Sequence, residues 1–496
     1  MCYDISLHIL HQNRCGVPVI TMADSNSLRS SFKQRLTPRE RRFILIFGHV
    51  IAVLLALAVS LLSWANEDDW LGVSVSFLLE RPDPWFYLLP LLWLILMLPL
   101  YNVREVHQFQ KALRVILTAS ISSVAIYLLI FFLAPAKTLP RRGVIIFFIA
   151  AAIFTLLWRR IYARFFLIKD AFINTIIVGA GKAGTRIAEI INTTEGVPYR
   201  VVGFIDDDPW KIGTEIEGYP VLGGSEHYFE FVEKHQVTQV IMAISNHLND
   251  QIFDALTMSE ERGITVTTMP MIYEELLGRV PVHLLNTDWL LRSFYDMSHT
   301  SLFFEIAKRL FDLIGGLIGL IFFAVITPFA ALATLIDSGR PVFYTQERLG
   351  LRGSTFNMIK FRTMVQNAEK DGVARPASEH DSRITRVGSF LRKSHLDEMP
   401  QFINVLRGEL SLVGPRAERP QIVKDLQREV PFYRARLLVR PGITGWAQIN
   451  QNYAAGTEEN TVKLEYDLYY IKHRSLLMDF SIIFNTLKTI FGLKGR

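Results

Sequence analysis

The sequence predicts a membrane protein of the α/β class. It is expected to have four N-terminal transmembrane helices, a Rossmann-like α/β middle domain and a C-terminal α/β domain with a re-entrant helical hairpin. Half of the 496 residues are hydrophobic, yet 20% are charged, a mixture typical of integral membrane proteins with sizeable polar domains. Long uncharged segments alternate with polar ones, and a glycine-rich turn separates a strand pattern from a helix pattern.

The N-terminal third contains four apolar segments, Phe43–Trp64, Trp85–Tyr101, Val115–Ala134 and Gly143–Trp158. The first and third reach the roughly 20 residues that a spanning helix needs, and the other two are near the short limit. Lysine and arginine are concentrated before the first segment, between the second and third, and after the fourth. This distribution favours a cytoplasmic N-terminus and a return to the cytoplasm, although the basic third loop runs against it.

We therefore assign residues 1–42 to a cytoplasmic tail and residues 43–165 to a four-helix transmembrane domain. The first residues lack the pattern of a signal peptide, and Met22 opens a polar run that would make a second plausible start. Cys2 and Cys15 are the only cysteines, which excludes a disulfide framework or a cysteine metal site in the rest of the chain.

Residues 170–272 alternate short apolar strands with helical patterns, which predicts the Rossmann-like domain with a parallel sheet. Gly179, Gly181 and Gly184 form G-x-G-x-x-G after a strand, and Asp206 ends the next strand, where it would meet a ribose hydroxyl. Two interpretations stay open. The turn either binds a nucleotide or allows close packing in a structural or regulatory domain. No Tyr is followed by Lys four residues later, so the pair typical of short-chain dehydrogenases is absent.

A fifth uncharged segment, Leu313–Ile336, is long enough to span a membrane, yet basic residues flank both of its ends. Both ends therefore prefer the cytoplasm. Pro328 lies inside the segment and is expected to break the helix. We predict a re-entrant hairpin over residues 308–337, bent at Pro328, with straight spanning as the alternative.

The last apolar residues, from Leu476 to Phe491, recur at helical spacing and predict an amphipathic helix. This helix either lies on the membrane or closes the core of the C-terminal domain.

Adjacent acids, Asp397 and Glu398, lie among cations in the segment 391–420. Paired carboxylates can hold a divalent metal or attack phosphorus, and arginines hold phosphate oxygens bidentately. Because Pro400 is tolerated only in a first turn, we predict a helix from Glu398 with Asp397 as its N-cap. Capping alone is the alternative role for these acids. The cations that together suggest an anionic substrate are Lys360, Arg362, Arg383, Arg392, Arg416 and Arg440.

These motifs resemble the bacterial polyprenyl-phosphate hexose-1-phosphate transferases. These are the monotopic phosphoglycosyl transferases that initiate capsule, exopolysaccharide and O-antigen synthesis. The resemblance covers residues 303–496 continuously, and the N-terminal helices and glycine-turn domain resemble the long form of the family. One departure is Pro415-Arg416-Ala417, where the family often has Pro-Arg-Pro. The resemblance rests on KRLFD, YTQERLG, FNMIKFRTM, SHLDEMPQFINVLRGELSLVGPR, RPGITGWAQIN and the hairpin residues Lys308, Arg309, Asp312 and Pro328.

The resemblance implies a two-step reaction on the cytoplasmic face of the bacterial inner membrane. Asp397 would attack the β-phosphorus of a UDP-hexose bound with Mg²⁺ and release UMP, after which undecaprenyl phosphate would take the sugar phosphate. Glu398 would be a metal ligand or base, with Asp397 as the second metal ligand, and Arg416 a phosphate clamp. The catalytic domain would be 303–496, after a linker at 273–302.

Glucose or galactose is the expected hexose. We also expect the lipid bilayer as a partner, a homodimer and no nucleic-acid partner. The alternatives are a membrane-bound, NAD-dependent nucleotide-sugar modifying enzyme, against which the absent Tyr and Lys pair argues, and a non-catalytic scaffold for polysaccharide assembly.

Overall fold

The structure is a computed structural model, and the chain divides into two compact units, 1–169 and 170–496. Residues 1–37, residues 98–108 and residues 285–300 of the predicted linker lie outside the described part. The structure describes residues 38–66, 70, 72–97, 109–133, 141–165, 172–194, 197–244, 249–284, 301–366, 381–451 and 456–490.

The first unit is helical in its described residues. Its helices are α1 (Pro38–Asn66), α2 (Val75–Glu80), α3 (Leu89–Leu96), α4 (Phe109–Leu133) and α5 (Arg141–Phe165). Helices α1 and α5 pack against each other, with Leu45 and Tyr162 buried in one apolar cluster. Gly48 permits this approach, because a Cβ there would lie 1.9 Å from the ring of Trp158.

Each of the four predicted spanning segments contains helix, but the prediction of four spans is not confirmed. In the described residues, three helices are long and apolar enough to cross a membrane: Arg42–Asn66, Arg142–Phe165 and Leu302–Ser338. The second and third predicted segments contribute shorter apolar helices, Phe86–Leu96 and Ala112–Val124.

The middle domain is built on a largely parallel sheet, as the sequence predicts. The strands are β1 (Ile173–Val178), β2 (Tyr199–Ile205), β3 (Glu215–Ile216), β4 (Tyr219–Gly223), β5 (Gln239–Met242) and β6 (Thr265–Thr268), and the helices are α6 (Lys182–Thr193), α7 (Tyr228–Lys234), α8 (Asp250–Glu261) and α9 (Met269–Leu277). The six strands lie in the order β3-β4-β2-β1-β5-β6, and all their pairings are parallel except that of β3 with β4. Alternate residues of β1 face opposite layers, with Ile177 in one apolar cluster and Ile176 and Val178 in the other.

The C-terminal domain carries a long helix, two small sheets and a helical layer. The elements are α10 (Leu302–Ser338), β7 (Phe343–Leu349), β8 (Thr355–Phe361), α11 (Arg386–Lys393), α12 (Gln401–Arg407), β9 (Ser411–Val413), α13 (Pro420–Glu429), β10 (Gly442–Thr444), α14 (Trp446–Asn450), α15 (Thr457–His473) and α16 (Leu476–Ile490). The first sheet is an antiparallel hairpin of β7 and β8, and the second pairs β9 with β10 in parallel.

The middle and C-terminal domains meet through the end of α9. Residues 273–277, predicted as part of a linker, belong to this helix. The Glu274 carboxylate accepts a hydrogen bond from Lys472 Nζ at 2.7 Å and lies 2.9 Å from His473 Nε2. Trp446 Nε1 donates to the carbonyl oxygen of Gly278 at 2.8 Å. The end of α9 and the adjacent Gly278 are therefore bonded to α14 and α15.

The predicted hairpin at Pro328 is not confirmed, because α10 is one helix of 37 residues with Pro328 inside it. Proline removes one backbone hydrogen bond, but packing continues on both sides of it. Phe323 and Ala330 lie in the same apolar cluster as Phe361 of β8 and Leu391 of α11. These contacts hold the helix together across the proline.

The first turns of α10 are anchored by a buried charge network that sequence reasoning missed. Lys308 Nζ lies 2.8 Å from Asp479 Oδ2 and 3.2 Å from Asp312 Oδ1. The same Asp312 oxygen accepts a hydrogen bond from the backbone of Leu412 at 3.1 Å. Asp479 is fully buried, and Ile482 one turn later belongs to the core. Helix α16 therefore closes the core, which decides between the two roles predicted for it.

Candidate active site

The two acids lie in a short 3₁₀ turn, Leu396–Glu398, that follows α11. Backbone bonds from Glu398 to His395 and from Met399 to Leu396, both 3.2 Å, close this turn. The α-helix begins only at Gln401, with Pro400 as its N-cap. The prediction of Asp397 as the helix N-cap is therefore wrong. The three-residue spacing of these bonds winds the chain more tightly than an α-helix.

Glu398 is held by two cations from distant parts of the chain. Its Oε1 accepts a hydrogen bond of 2.7 Å from Lys360 Nζ, at the end of β8, and one of 3.1 Å from Arg416 Nη2, after β9. Burial by itself raises the pKa of Glu398, but the two cations outweigh it and hold that pKa below its usual range. The carboxylate therefore stays ionised at neutral pH.

Asp397 has a different environment, although it is the adjacent residue. Its side chain is buried, and none of the residues that the structure describes donates a hydrogen bond to its carboxylate. Burial, and then the negative charge of Glu398, raise the pKa of Asp397, while Lys360 and Arg392 partly offset this. The Asp397 carboxylate accepts no hydrogen bond from the described residues and is poorly solvated, so it is suited to nucleophilic attack. The Glu398 carboxylate is fixed by two cations, so it is suited to carry a permanent negative charge.

A buried asparagine ties the acid turn to the strand that carries Lys360. Asn404 is fully buried on α12. Its Oδ1 accepts from the backbone N–H of Ile359 at 3.2 Å, and its Nδ2 donates to the carbonyl oxygen of Asn357 at 2.9 Å. These bonds fix α12 against β8 and so align Glu398 with Lys360. The sequence offered one signal for this role, a polar residue inside the apolar run from Phe402 to Leu406.

Three of the six predicted cations meet the acid pair. Lys360 and Arg416 contact Glu398, and the charge of Arg392 lowers the pKa of Asp397. Arg392 is oriented by a hydrogen bond of 3.0 Å from its Nε to Thr363 Oγ1.

The guanidinium groups of the other three cations are engaged elsewhere. Arg362 is buried and donates to the carbonyl oxygens of Ser338 and Gly339, where it caps the end of α10. Arg383 forms a fork with the carboxylate of Asp381, with bonds of 2.9 and 2.6 Å. Arg440 Nε donates to the carbonyl oxygen at the end of α12, Gly408, at 3.2 Å.

Arg309 also holds the end of α12. Its two terminal nitrogens donate to the carbonyl oxygens of Val405 and Leu406, each at 2.8 Å. A cation at a helix C-terminus is favourable because the last carbonyl groups carry partial negative charge. Arg309 thereby joins α10 to the helix that follows the acid pair.

The glycine turn of the middle domain is built for close packing. Gly179 has a φ of +105°, which favours glycine. A Cβ at Gly184 would lie 1.9 Å from the carbonyl oxygen of Gly179, whereas one at Gly181 would have open space around it. The tight approach of α6 to β1 therefore requires two of the three glycines.

Asp206, the predicted ribose ligand, is bonded within its own domain. Its Oδ2 accepts a hydrogen bond of 2.7 Å from the backbone of Ala180 in the glycine turn and lies 3.0 Å from Lys211 Nζ. The aspartate thus already bonds one N–H group of that turn, which favours the packing interpretation over the nucleotide interpretation.

The chain matches two known families. The bacterial sugar transferase family matches residues 303–492, which contain α10, the acid pair and the three cations around it. A family described as a CoA-binding domain matches residues 97–270. A solved structure, UDP-D-quinovosamine 4-dehydrogenase from Vibrio fischeri, is 23% identical over 22% of this chain and 85% of that chain. Its TM-score of 0.18 is too low to support an inference.

Several curated proteins are similar to this chain. A UDP-N-acetylgalactosamine-undecaprenyl-phosphate N-acetylgalactosaminephosphotransferase of Aeromonas hydrophila is 40% identical over 46% of this chain and 52% of its own length. A UDP-glucose:undecaprenyl-phosphate glucose-1-phosphate transferase of Xanthomonas campestris pv. campestris is 33% identical over 65% and 67%. A UDP-galactose-lipid carrier transferase of Erwinia amylovora is 32% identical over 65% and 69%.

The chain thus spans about half to two thirds of the length of these relatives. Their names confirm the resemblance that the sequence motifs indicated. The match of residues 303–492, together with 32% identity over 69% of the Erwinia protein, shows the family of the chain. The chain belongs to the bacterial sugar transferase family.

Proposed function

We propose that this protein transfers hexose-1-phosphate from a UDP-hexose to undecaprenyl phosphate, giving undecaprenyl-diphosphate-hexose and UMP. The observation that carries the proposal is the contrast within the acid pair. Glu398 accepts hydrogen bonds from Lys360 and Arg416, while Asp397 is buried and accepts none from the described residues. The names of the relatives support the substrate class, since each describes a transfer to a lipid carrier.

The reaction balances in two displacements at one phosphorus. A carboxylate oxygen of Asp397 attacks the β-phosphorus, and the bond from that phosphorus to the bridging oxygen breaks, so that UMP leaves with the bridging oxygen. The sugar phosphate stays on Asp397 as an acyl phosphate. An oxygen of undecaprenyl phosphate then attacks the same phosphorus and releases the carboxylate.

The cations around the acids are placed to stabilise charge on the diphosphate. Arg416 has 41% of its side chain exposed although it is bonded to Glu398, so part of its guanidinium group remains available to phosphate oxygens. Lys360 is mostly buried and supplies positive charge in a poorly solvated position, where it acts most strongly.

The donor set fits Mg²⁺, which is commonly bound by one or two carboxylates together with substrate phosphates. Asp397 and the Glu398 oxygen Oε2 would hold it, because Oε2 carries none of the described bonds. Bound there, Mg²⁺ would neutralise charge on the diphosphate and on the leaving UMP.

We further propose that the protein lies in the bacterial inner membrane with its active site on the cytoplasmic face. Along α10 the buried residues recur on one face, at Lys308, Asp312, Gly316, Gly319, Phe323, Ala330 and Thr334. Large apolar side chains such as Ile314, Phe322 and Phe329 are exposed.

Both ends of α10 contact the rest of the C-terminal domain. Lys308 forms an ion pair with Asp479 at one end, and Ser338 accepts a hydrogen bond from Arg362 at the other. A helix of this length, about 55 Å at 1.5 Å per residue, cannot cross the bilayer while both ends stay on one domain. It therefore lies within one leaflet, where a soluble donor and a lipid acceptor can share a site.

The four N-terminal segments form the spanning domain of this proposal. We also propose that the protein is a homodimer.

The experiment is a transfer assay with the purified full-length protein and undecaprenyl phosphate. Radiolabelled UDP-glucose, UDP-galactose and UDP-N-acetylgalactosamine are tested in parallel, because the relatives differ in donor. We expect label in the lipid extract for at least one donor and none with Asp397→Asn, whose side chain has the same shape. A wild-type protein that transfers none of these sugars would contradict the proposal.

A further inference from the structure

A second charged cluster is buried behind Arg416. Arg436 has 2% of its side chain exposed and lies 2.7 Å from Asp467, which is equally buried. Its Nη1 donates to the hydroxyl of Tyr433 at 2.7 Å. Burial by itself would lower the pKa of Arg436, but Asp467 and Tyr433 raise it. The guanidinium group is therefore charged and held in one orientation.

The remaining bond of this group reaches the active-site loop. Arg436 Nη2 donates to the backbone carbonyl oxygen of Arg416 at 3.1 Å. On its other side the loop is fixed to β10, because the backbone N–H of Gly442 donates to the carbonyl oxygen of Pro415 at 2.9 Å. The backbone that carries the Arg416 side chain is thus held from two sides.

The loop also departs from the pattern of the family it resembles, with Ala417 after Arg416 in place of a second proline. A proline there would restrict the backbone directly. In this chain the carbonyl oxygen of Ala417 accepts a hydrogen bond of 3.0 Å from Arg348 Nη1. Two consecutive carbonyl groups, those of Arg416 and Ala417, are therefore each held by an arginine.

We propose that Arg436, oriented by Asp467 and Tyr433, is a positioning residue that aims the Arg416 guanidinium at the phosphate groups of the substrate. The inference rests on the proposed function, in which Arg416 meets the diphosphate. Arg436 touches neither acid of the catalytic pair in its described contacts and acts through the backbone of Arg416 alone.

A planar guanidinium group is required for this role. Arg436 donates to a hydroxyl and to a carbonyl oxygen in fixed directions, while it forms an ion pair with the Asp467 carboxylate. A lysine keeps the charge beside Asp467 but cannot make both hydrogen bonds in that geometry. Arg436→Lys is therefore expected to fold while it releases the loop.

The test is a double-mutant cycle on the full-length protein. Arg436→Lys should lower kcat by about 100-fold, the loss typical of a misplaced catalytic group, with a smaller change in KM for the UDP-sugar. In an Arg416→Ala background the same substitution should leave the residual rate unchanged within about 2-fold, because no side chain remains to be aimed. Tyr433→Phe, which removes one bond at almost constant volume, should give a smaller loss with the same dependence on Arg416.

Arg279 provides a matched control. It lies 3.6 Å from Glu465, two residues before Asp467 on α15, and its guanidinium group is 5.5 Å from the ring centroid of Tyr273 on α9 of the middle domain. Arg279→Lys should change the rate by the same factor in both backgrounds. An equal loss for Arg436→Lys with and without the Arg416 side chain would overturn the positioning role. A wild-type protein without transfer activity would instead contradict the proposed function, so the two failures are distinguishable.

Discussion

Replacing Glu398 by Gln is expected to lower the thermal stability of the protein, whereas replacing the adjacent Asp397 by Asn is not. The pKa of Glu398 is held low by Lys360 and Arg416 despite its burial, so its ionised form stabilises the fold above its unfolded pKa, and this stability is lost as pH falls through its folded pKa. The pKa of Asp397 is raised by burial and by Glu398, so its ionised form destabilises the fold.

The magnitude follows from the two bonds of Glu398. The hydrogen bond from Lys360, 2.7 Å long between two mostly buried side chains, contributes about 2–3 kcal/mol. The bond from Arg416 contributes at most about 1 kcal/mol because that side chain is 41% exposed. Glutamine keeps a neutral hydrogen bond of about 1 kcal/mol, so the net loss is about 2 kcal/mol. This corresponds to a fall in Tm of roughly 4–8 °C.

The assay is thermal unfolding of the purified protein at pH 7, with Glu347→Gln as a control at an exposed glutamate of β7. We expect Glu398→Gln to melt below the wild type and both Asp397→Asn and Glu347→Gln to melt at or above it. A Glu398→Gln variant as stable as the control would refute the ion-pair assignment. A marked fall in Tm for Asp397→Asn would refute the conclusion that the ionised Asp397 carboxylate does not stabilise the fold.

Three further predictions concern other parts of the molecule. Single cysteines at Ser301 and Ser338 should both resist an impermeant thiol reagent added from outside, because both ends of α10 lie on one domain; labelling of one alone would mean that the helix spans. Gly184→Ala should destabilise the middle domain by about 2–3 kcal/mol in thermal unfolding through its clash with a carbonyl oxygen, whereas Gly181→Ala, in open space, should not. Burial raises the pKa of Glu465 from 4.5 to about 7. The protonated side chain therefore stabilises the fold below pH 4.5, and this stability is lost as pH rises through about 7. Glu465→Gln should flatten the profile of Tm against pH, and an unchanged profile would contradict this.

The acids and their nearest cations were predictable because their signal is local. Asp397 and Glu398 are adjacent, and Lys360 and Arg416 lie in motifs at the ends of strands. The partners that orient them were not predictable. Asn404 and Arg436 act through bonds to residues 45 and 20 positions away, which only the tertiary fold brings together.

The contacts around Pro328 and Asp206 were likewise not predictable from the local sequence. Pro328 weakens its helix locally, but contacts with the domain on both sides keep α10 continuous. Asp206 has the position of a ribose ligand, yet its carboxylate bonds to the glycine turn itself. Both observations depend on tertiary contacts that the sequence pattern does not reveal.

Incubation of the protein with its UDP-hexose in the absence of undecaprenyl phosphate tests whether Asp397 carries the sugar phosphate. We expect about one equivalent of UMP per protein and a mass increase of one hexose phosphate on the peptide that contains Asp397. Asp397→Asn should give neither signal, although it remains folded. UMP that appears only after the lipid is added, with no adduct on Asp397, would contradict the covalent route.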